Sequence, residues 1–213
     1  MSTSKETTGA EKASSAEKTT GGSLVELVVI VAVALGLALG IQAFLVKPYK
    51  IPSESMVPTL TIGQRVLVNR IGKRFRDPQI GDVVVFHPPK GADIDTCGGQ
   101  RRSGQPCPRP TRERSKQNFI KRIVAGPGDT VAVKGGHAIV NGKRQADGFA
   151  RDCGGGNGCD FPTPITVPPD HFFMMGDNRG ESEDSRFWGP VPKSWIIGGA
   201  FATYWPPKRV GTL

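Results

Sequence analysis

A long apolar run near the start constrains this chain more than any other feature of its 213 residues. From Leu24 to Val46 the sequence reads LVELVVIVAVALGLALGIQAFLV, with only Glu26 and Gln42 as polar residues. About 20 apolar residues in a helix suffice to cross a membrane, and such a stretch rarely suits the core of a small soluble domain. Cleaved secretory signals have shorter apolar regions behind a positive start. We therefore expect a transmembrane signal anchor at residues 23–46.

The sequences on either side of this run predict different structures. Residues 1–22 are rich in Ser, Thr, Gly, Lys and Glu and hold almost nothing apolar, so burial cannot offset the entropy of ordering them. We expect them to form a disordered cytoplasmic tail. Residues 47–213 contain short β-branched runs separated by turn signals such as Gly135-Gly136, which predicts a mainly β domain. Segments at about 90–115 and 150–169, rich in Gly, Pro and charge, are expected to be loop insertions.

All four cysteines follow the apolar run and form two close pairs. Cys97 and Cys107 lie in the first expected insertion, and Cys153 and Cys159 lie in the second. Zinc binding is an alternative, but CxxC-type spacing is absent. We predict the disulfides Cys97–Cys107 and Cys153–Cys159, which form in an oxidising compartment. Because the lysines around the run do not decide its orientation, the cysteines indicate that the domain after the run lies outside the cytoplasm, on the cell membrane.

The formal net charge of +9 predicts an anionic partner. Much of the excess lies between Arg101 and Lys116. Nucleic acid would be the first candidate for a soluble protein, but an anchored chain meets anionic phospholipid headgroups instead. A solvated basic loop is the alternative. We therefore expect membrane phospholipids, and no nucleic acid, among the partners.

The segment Ile51–Leu60, IPSESMVPTL, is the first that could carry chemistry. Pro52 and Pro58 favour extended or turn conformations around them. In an extended segment Ser53 and Ser55 would point the same way, about 7 Å apart. One hydroxyl could then attack a carbonyl while the other lies near the developing oxyanion. Because Ser-x-Ser is common in loops, this interpretation needs support from other segments.

The segment Phe119–Asp129, FIKRIVAGPGD, supplies a candidate base. A strand here would place Lys121 on the same face as Phe119 and Ile123, and desolvation among apolar side chains lowers the pKa of an amine. Strand parity does not distinguish Lys121 from Arg122, but a guanidinium stays protonated and cannot act as the base. An edge-strand lysine with an exposed amine is the alternative.

The segment Met175–Pro190, MGDNRGESEDSRFWGP, concentrates carboxylates, arginines and serines after an apolar strand. Carboxylates and arginines that alternate at a strand end can form a fixed network of ion pairs and hydrogen bonds. Such a network more often orients a site than performs its chemistry. A merely polar turn is the alternative.

In this order, PSESMVPTL, QIGDVVVF, FIKRIVAGPGD and GDNRGESEDSRFWG resemble the motifs of bacterial type I signal peptidases. The resemblance implies coiled antiparallel sheets and a membrane-bound endopeptidase that removes signal peptides from preproteins without metal or cofactor. Ser55 would be the nucleophile, Lys121 the general base, and Ser53 with the Ser55 backbone N–H the oxyanion hole. Ser182 would orient the lysine amine. Structural support would come from Asp177, Asn178, Arg179, Asp184 and Arg186.

One departure from the family pattern is Gly180-Glu181, where the family commonly has Asp-Asn. Other chemistries fit the sequence less well. A Ser-His-Asp site would need His87, His137 or His171, and none lies in a nucleophile-elbow context. Self-cleaving repressors share a Ser-Lys pair but carry a DNA-binding domain where this chain has its apolar run. An inactive anchored binding protein is the alternative from another class, and Ser55 and Lys121 argue against it.

Overall fold

The structure, a computed structural model, describes residues 20–70, 77–156 and 158–213. Most of the predicted tail lies outside these residues. Helix α1 runs from Thr20 to Phe44 and therefore begins inside the segment that the sequence assigns to the tail. Its side chains from Leu24 to Leu39 are exposed. When the described residues alone are considered, no helix combines the length and the hydropathy needed to cross a membrane. The predicted anchor at residues 23–46 is not confirmed.

The described residues divide into two units with a boundary between Gly40 and Ile41. The sequence assigns Val46 to the anchor, but this residue begins the first strand of the second unit. Val46 pairs with Asn69, and the Arg70 backbone N–H donates to Leu45 O at 3.0 Å. Backbone hydrogen bonds to a neighbouring strand therefore replace those of the helix after Phe44.

The second unit is built from antiparallel strands in two sheets. The strands are β1 Val46–Lys50, β2 Arg65–Asn69, β3 Val83–Phe86, β4 Phe119–Ala125, β5 Thr130–Lys134, β6 His137–Val140, β7 Lys143–Arg144, β8 Phe161–Thr166, β9 His171–Met175, β10 Val191–Pro192, β11 Ile196–Trp205 and β12 Gly211–Thr212. One sheet has the order β1-β2-β11-β3-β4-β9-β10, with β12 paired to β11, and the other has the order β7-β6-β5-β8. The prediction of a mainly β domain with antiparallel sheets is confirmed.

Short helices complete the second unit. Helix α2 covers Ser185–Trp188, and 3₁₀ turns cover Ala92–Ile94, Lys193–Trp195 and Pro207–Arg209. Both glycines of Gly135-Gly136 have positive φ angles, of 58° and 80°, in the tight turn between β5 and β6. Glycine adopts this backbone without steric cost, so this turn is the hairpin that the sequence predicts.

Strand β4 is fixed in place because its side chains enter three apolar clusters. Val124 and Ala125 belong to a cluster with β5 and β8. Ile120 packs in a second cluster around the start of the domain, and Ile123 packs in a third with Trp188. A strand held from three sides has little freedom to shift, and this rigidity applies to every side chain that it carries.

The second predicted insertion, at 150–169, is only partly a loop. Strand β8 occupies its second half and pairs with β5. Phe161 and Ile165 are buried at an even spacing along this strand, whereas Pro162 is exposed. Because β8 is at the edge of its sheet, its prolines do not remove hydrogen bonds from a further strand. The Pro-rich composition that indicates a loop is also compatible with an edge strand.

Candidate active site

Ser53 and Ser55 lie in a loop that apolar side chains anchor to the domain. Ile51, Met56 and Leu60 are at most 1% exposed. Between these anchors the chain turns, which is one of the two conformations that the sequence predicts and not the extended one that a separation of about 7 Å assumes. The two hydroxyls are therefore closer than expected, with Ser53 Oγ 3.3 Å from Ser55 Oγ. Ser53 is exposed and Ser55 is buried.

The late polar segment holds the backbone around Ser55. The Asn178 backbone N–H donates to Ser55 O at 3.1 Å, and Asn178 Nδ2 donates to Glu54 O at 3.2 Å. A Cβ atom on Gly176 would overlap both Ser55 O and Ser182 Oγ. Glycine at this position therefore allows the serine loop and the late segment to approach each other closely.

Lys121 lies on β4, opposite Val84 of β3, and is 4% exposed. Burial lowers the pKa of its amine to about 8, against the opposing charge of Asp184. The Phe119 ring centroid lies 6.0 Å from Lys121 Nζ. With a pKa near 8 about one amine in ten is neutral at pH 7, compared with about one in 2,500 for a lysine of ordinary pKa. Lys121 can therefore accept a proton near neutral pH.

Arg122, which strand parity leaves as the alternative to Lys121, is engaged in a buried ion pair. Its Nε donates to Asp177 Oδ1 at 2.9 Å, and its Nη2 donates to Asp177 Oδ2 at 2.7 Å. The Thr59 hydroxyl donates to the same carboxylate, which is fully buried. A bidentate pair of this kind is stronger than a neutral hydrogen bond. Asp177 therefore ties β4 to the end of the serine loop.

The buried carboxylate of Asp184 accepts several hydrogen bonds. Ser182 Oγ donates to Asp184 Oδ2 at 2.8 Å, and the Gly176 N–H donates to the same oxygen at 3.0 Å. Arg186 Nε donates to Asp184 Oδ1 at 2.8 Å. Burial raises the pKa of Asp184, but the charge and hydrogen bonds of Arg186 outweigh it, and the net shift is downward. Because Ser182 donates its own proton here, its oxygen keeps lone pairs that can accept from an amine.

Arg179 joins the late segment to the smaller sheet. Its Nε donates to Gly176 O at 3.0 Å, and its Nη1 donates to Asp147 Oδ2 at 3.0 Å and to Gly136 O. Asp147 also lies 3.0 Å from His137 Nδ1. The guanidinium is 2% exposed as a side chain. It therefore links the turn between β5 and β6 to the strand end beside the serine loop.

The structure contains the disulfides Cys97–Cys107 and Cys153–Cys159. The second disulfide loop packs against the position where the chain departs from the family pattern. A Cβ atom on Gly180 would lie 2.8 Å from Cys153 O, closer than real Cβ atoms approach an oxygen. Glycine in place of the family's usual aspartate therefore leaves room for this loop.

A cleft of about 830 Å³ brings the predicted reactive groups together. Ser53, Ser55, Lys121 and Ser182 all line it. The residues predicted as structural support are at most 2% exposed and lie in the polar network described above: Asp177, Asn178, Arg179, Asp184 and Arg186. Within the described part of the chain, no group of His, Cys, Asp or Glu is arranged to hold a metal ion.

Several residues of this network are absent from the sequence prediction. Thr59, Arg122 and Gly176 lie inside the family motifs. Their closeness in sequence to the predicted site residues is the signal that could have indicated them. Asp147, the partner of Arg179, lies after β7 and before the turn at residues 148–150. Its role depends on the tertiary fold, and the sequence around it carries no signal for that role.

Comparison with known proteins gives the same assignment as the motifs. A family model described as "Signal peptidase, peptidase S26" matches residues 24–205. The chain therefore belongs to the signal peptidase family, peptidase S26, and is a serine endopeptidase of the signal peptidase I type. The resemblance that the sequence motifs indicate is confirmed.

The relatives are similar over most of their length. "Signal peptidase I" of Leptolyngbya laminosa is 36% identical over 191 residues, which cover 89% of this chain and 84% of that protein. "Signal peptidase I" of Pseudomonas aeruginosa is 32% identical, over 84% of this chain and 72% of that protein. A crystal structure of a signal peptidase I from Enterococcus faecalis aligns at 21% identity with a TM-score of 0.38, over 58% of this chain and 97% of that one.

Proposed function

We propose that this chain is a membrane-bound endopeptidase that removes signal peptides from secreted preproteins, with Ser55 as nucleophile and Lys121 as general base. The observation that carries this proposal is the burial of Lys121, which is 4% exposed, in the cleft that Ser55 also lines. A buried amine with a pKa of about 8 is a competent base near neutral pH. It can activate a hydroxyl that is unreactive alone.

In the first step, the neutral amine of Lys121 takes the Ser55 hydroxyl proton while Oγ attacks the carbonyl carbon at the cleavage site. The oxyanion is held by the Ser53 hydroxyl and the Ser55 backbone N–H, and one such donor contributes about 10²–10³ in rate. The ammonium of Lys121 then protonates the leaving amine, which is the new N-terminus of the mature protein. The signal peptide stays bound to Ser55 as an ester.

In the second step, Lys121 takes a proton from water, and the water oxygen attacks the ester carbon. The bond to Ser55 Oγ then breaks, the ammonium of Lys121 returns a proton to Oγ, and the signal peptide leaves with a free carboxyl group. Ser182 positions the amine through its hydroxyl oxygen, and Asp184 holds that hydroxyl. The remaining support residues act by fixing the backbone of the serine loop and the late segment. Their buried hydrogen bonds keep the geometry constant through both steps.

The acyl-enzyme provides the test of this mechanism. Full-length chain in detergent, mixed with a signal-peptide substrate and quenched in acid, should carry the signal peptide as an ester on Ser55 by mass spectrometry. Ser55→Ala should carry no adduct and release no product, whereas Ser103→Ala, at an exposed serine outside the cleft, should match the wild type. Turnover by Ser55→Ala would overturn the assignment.

We also place the chain in the cell membrane as a single-pass protein, with its N-terminus cytoplasmic and its catalytic domain outside. Support comes from the apolar run Leu24–Val46 and from the two disulfides, which persist in oxidising compartments. Protease added to intact spheroplasts should then remove the domain that carries Ser55. A domain that is cut only after lysis would contradict this topology.

Anionic phospholipids are the lipid partners that we propose for the basic run Arg101–Lys116. Basic residues close to a membrane gain about 1 kcal/mol each from anionic lipids. Full-length chain should therefore be more active in phosphatidylglycerol vesicles than in phosphatidylcholine vesicles, and salt should reduce the difference. Equal activity in both would exclude this partnership.

A further inference from the structure

We infer that Asp95, which lies just before the Cys97–Cys107 disulfide, forms part of the substrate cleft and, together with Glu183, selects preproteins with a basic residue beside the cleavage site. The inference rests on the proposed function, because it assigns a substrate preference to the cleft that Ser55 and Lys121 line. Asp95 and Glu183 both line that cleft.

The edge of the cleft has the opposite charge to the chain as a whole. Asp95, Glu181 and Glu183 are exposed along it, and Lys50 is the exposed basic residue among the described residues that line it. The whole chain carries 28 Lys and Arg against 19 Asp and Glu. A local excess of carboxylates makes the electrostatic potential in a cleft negative, and this potential attracts cationic groups.

These carboxylates are close to the proposed reaction centre. Burial raises the pKa of Glu183, the charge of Asp95 raises it further, and the charge of Lys121 lowers it. Asp95 and Glu183 line the cleft together with Ser55. Lys121 lines the same cleft and takes part in none of the ion pairs that the described residues form. A substrate segment that passes Ser55 therefore passes this acidic edge.

The position of Asp95 is fixed by the structure of its loop. The 3₁₀ turn Ala92–Ile94 precedes it, and Ala92 is 2% exposed. The Cys97–Cys107 disulfide follows it. The Cys107 backbone N–H donates to Arg186 O at 3.0 Å, which attaches the loop to the buried network behind the site. An exposed carboxylate on an anchored loop loses little further entropy when it meets a substrate cation.

The test compares signal-peptide substrates that differ at one position. Lys, Gln or Glu is placed at the second residue before the cut or at one of the first three residues after it. At the position that faces the acidic edge, kcat/KM should fall in the order Lys, Gln, Glu, by about 3- to 10-fold from first to last. Raising the ionic strength should reduce this range, because exposed charges are screened.

The Asp95→Asn variant should reduce the ratio of kcat/KM for the Lys substrate to kcat/KM for the Glu substrate. Asp170→Asn is a matched control: Asp95 and Asp170 both have left-handed backbones, with φ of 53° and 56°, which asparagine tolerates. Asp170 does not line the cleft. At the same ionic strength, the Asp170→Asn variant should keep the wild-type preference for Lys over Glu.

Two results would overturn the inference, and they differ in what else they exclude. If the full-length chain cleaves the Gln substrate but shows no charge preference at any tested position, or keeps its preference in Asp95→Asn, then the acidic edge does not select substrates and the proposed function stands. If the chain cleaves none of the substrates, the proposed function and the inference fail together.

Discussion

Two sets of side chains build the candidate site, and they face different environments. Ser53, Ser55, Lys121 and Ser182 line the cleft, whereas Asp177, Arg179, Asp184 and Arg186 are buried in a network behind it. The first set can meet a substrate and the second cannot. Replacing a cleft residue should therefore affect rate more than stability, and replacing a network residue should affect stability first.

The largest effect is expected from the cleft pair. Ser55→Ala and Lys121→Ala should each lower kcat by about 10³-fold or more, because both groups act in one proton transfer. The double variant should be no slower than either single variant. Lys121→Arg should be as inactive as Lys121→Ala, since a guanidinium does not give up its proton. Signal-peptide cleavage assays measure the rates, and a double variant far slower than both singles would contradict the pairing.

A smaller effect, on stability, is expected from the network. Asp184→Asn leaves the Arg186 guanidinium buried without its full ionic partner, which should lower the free energy of unfolding by about 3–5 kcal/mol. Denaturant unfolding of the full-length chain in detergent measures this change. Glu113→Gln is the control, because it removes the exposed ion pair with Lys90 and should leave unfolding unchanged. Equal stability of both variants would contradict the division between cleft and network.

The contribution of Asp184 to folding stability should also depend on pH. Its pKa is lower in the folded state than its ordinary value, so its contribution to stability is present above the unfolded pKa. That contribution is lost as pH falls through the folded pKa. The wild type should therefore lose stability in acid more steeply than Asp184→Asn. Unfolding curves at a series of acidic pH values would show the difference.

Lys121 should be the cleft residue whose removal stabilises the fold. Its pKa falls from 10.5 to about 8 on folding, so the protonated amine destabilises the folded state at every pH below about 8. The wild type should gain stability as pH rises from about 8 to 10.5. At about 1.4 kcal/mol per pKa unit, Lys121→Met should be more stable by about 3 kcal/mol at pH 7. The stability of Lys121→Met should also not rise at alkaline pH. Unfolding measurements that show the same rise in stability for the variant and the wild type would contradict this prediction.

The smallest effect concerns the edge of the cleft. The charge of Glu183 raises the pKa of Lys121, so Glu183→Gln should lower that pKa. In a plot of cleavage rate against pH, the rise on the acid side (the acid limb) should then move to lower pH by a fraction of a pH unit. Asp170→Asn should leave the limb in place, because Asp170 does not line the cleft. A limb that moves to higher pH in Glu183→Gln would contradict the assigned base.

The sequence predicts the parts of this fold that depend on local pattern. Strands β4 and β5 are rich in β-branched and other apolar residues, which is the local pattern that predicts strands. Strand β8 is missed, because its prolines indicate a loop until the sheet edge that accommodates them is known. The close contact between the Ser53 and Ser55 hydroxyls is missed for a related reason, since the turn there is imposed by buried neighbours.

In the candidate site, too, sequence motifs indicate some residues, and the tertiary fold alone brings others into place. The motifs indicate Ser55 and Lys121 as candidates, because the roles proposed for them need particular residue types. They do not identify Asp147 as the partner of Arg179, since that ion pair joins segments 32 residues apart. Nor does the sequence show that Asp95, in a loop rich in glycine and charge, lines the same cleft. Such placements are properties of the folded chain.

The order of strands in the larger sheet has a consequence for when the enzyme becomes active during its synthesis. Ser55 lies just before β2 and Lys121 lies on β4, next to β3, and in the sheet of the described strands β11 lies between β2 and β3. Strand β11 is translated long after both of them. Until it emerges, the sheet lacks the strand between the proposed nucleophile and the proposed base, and closing such a distant contact is slow. A nascent chain that already carries both residues should therefore be unable to cut its neighbours.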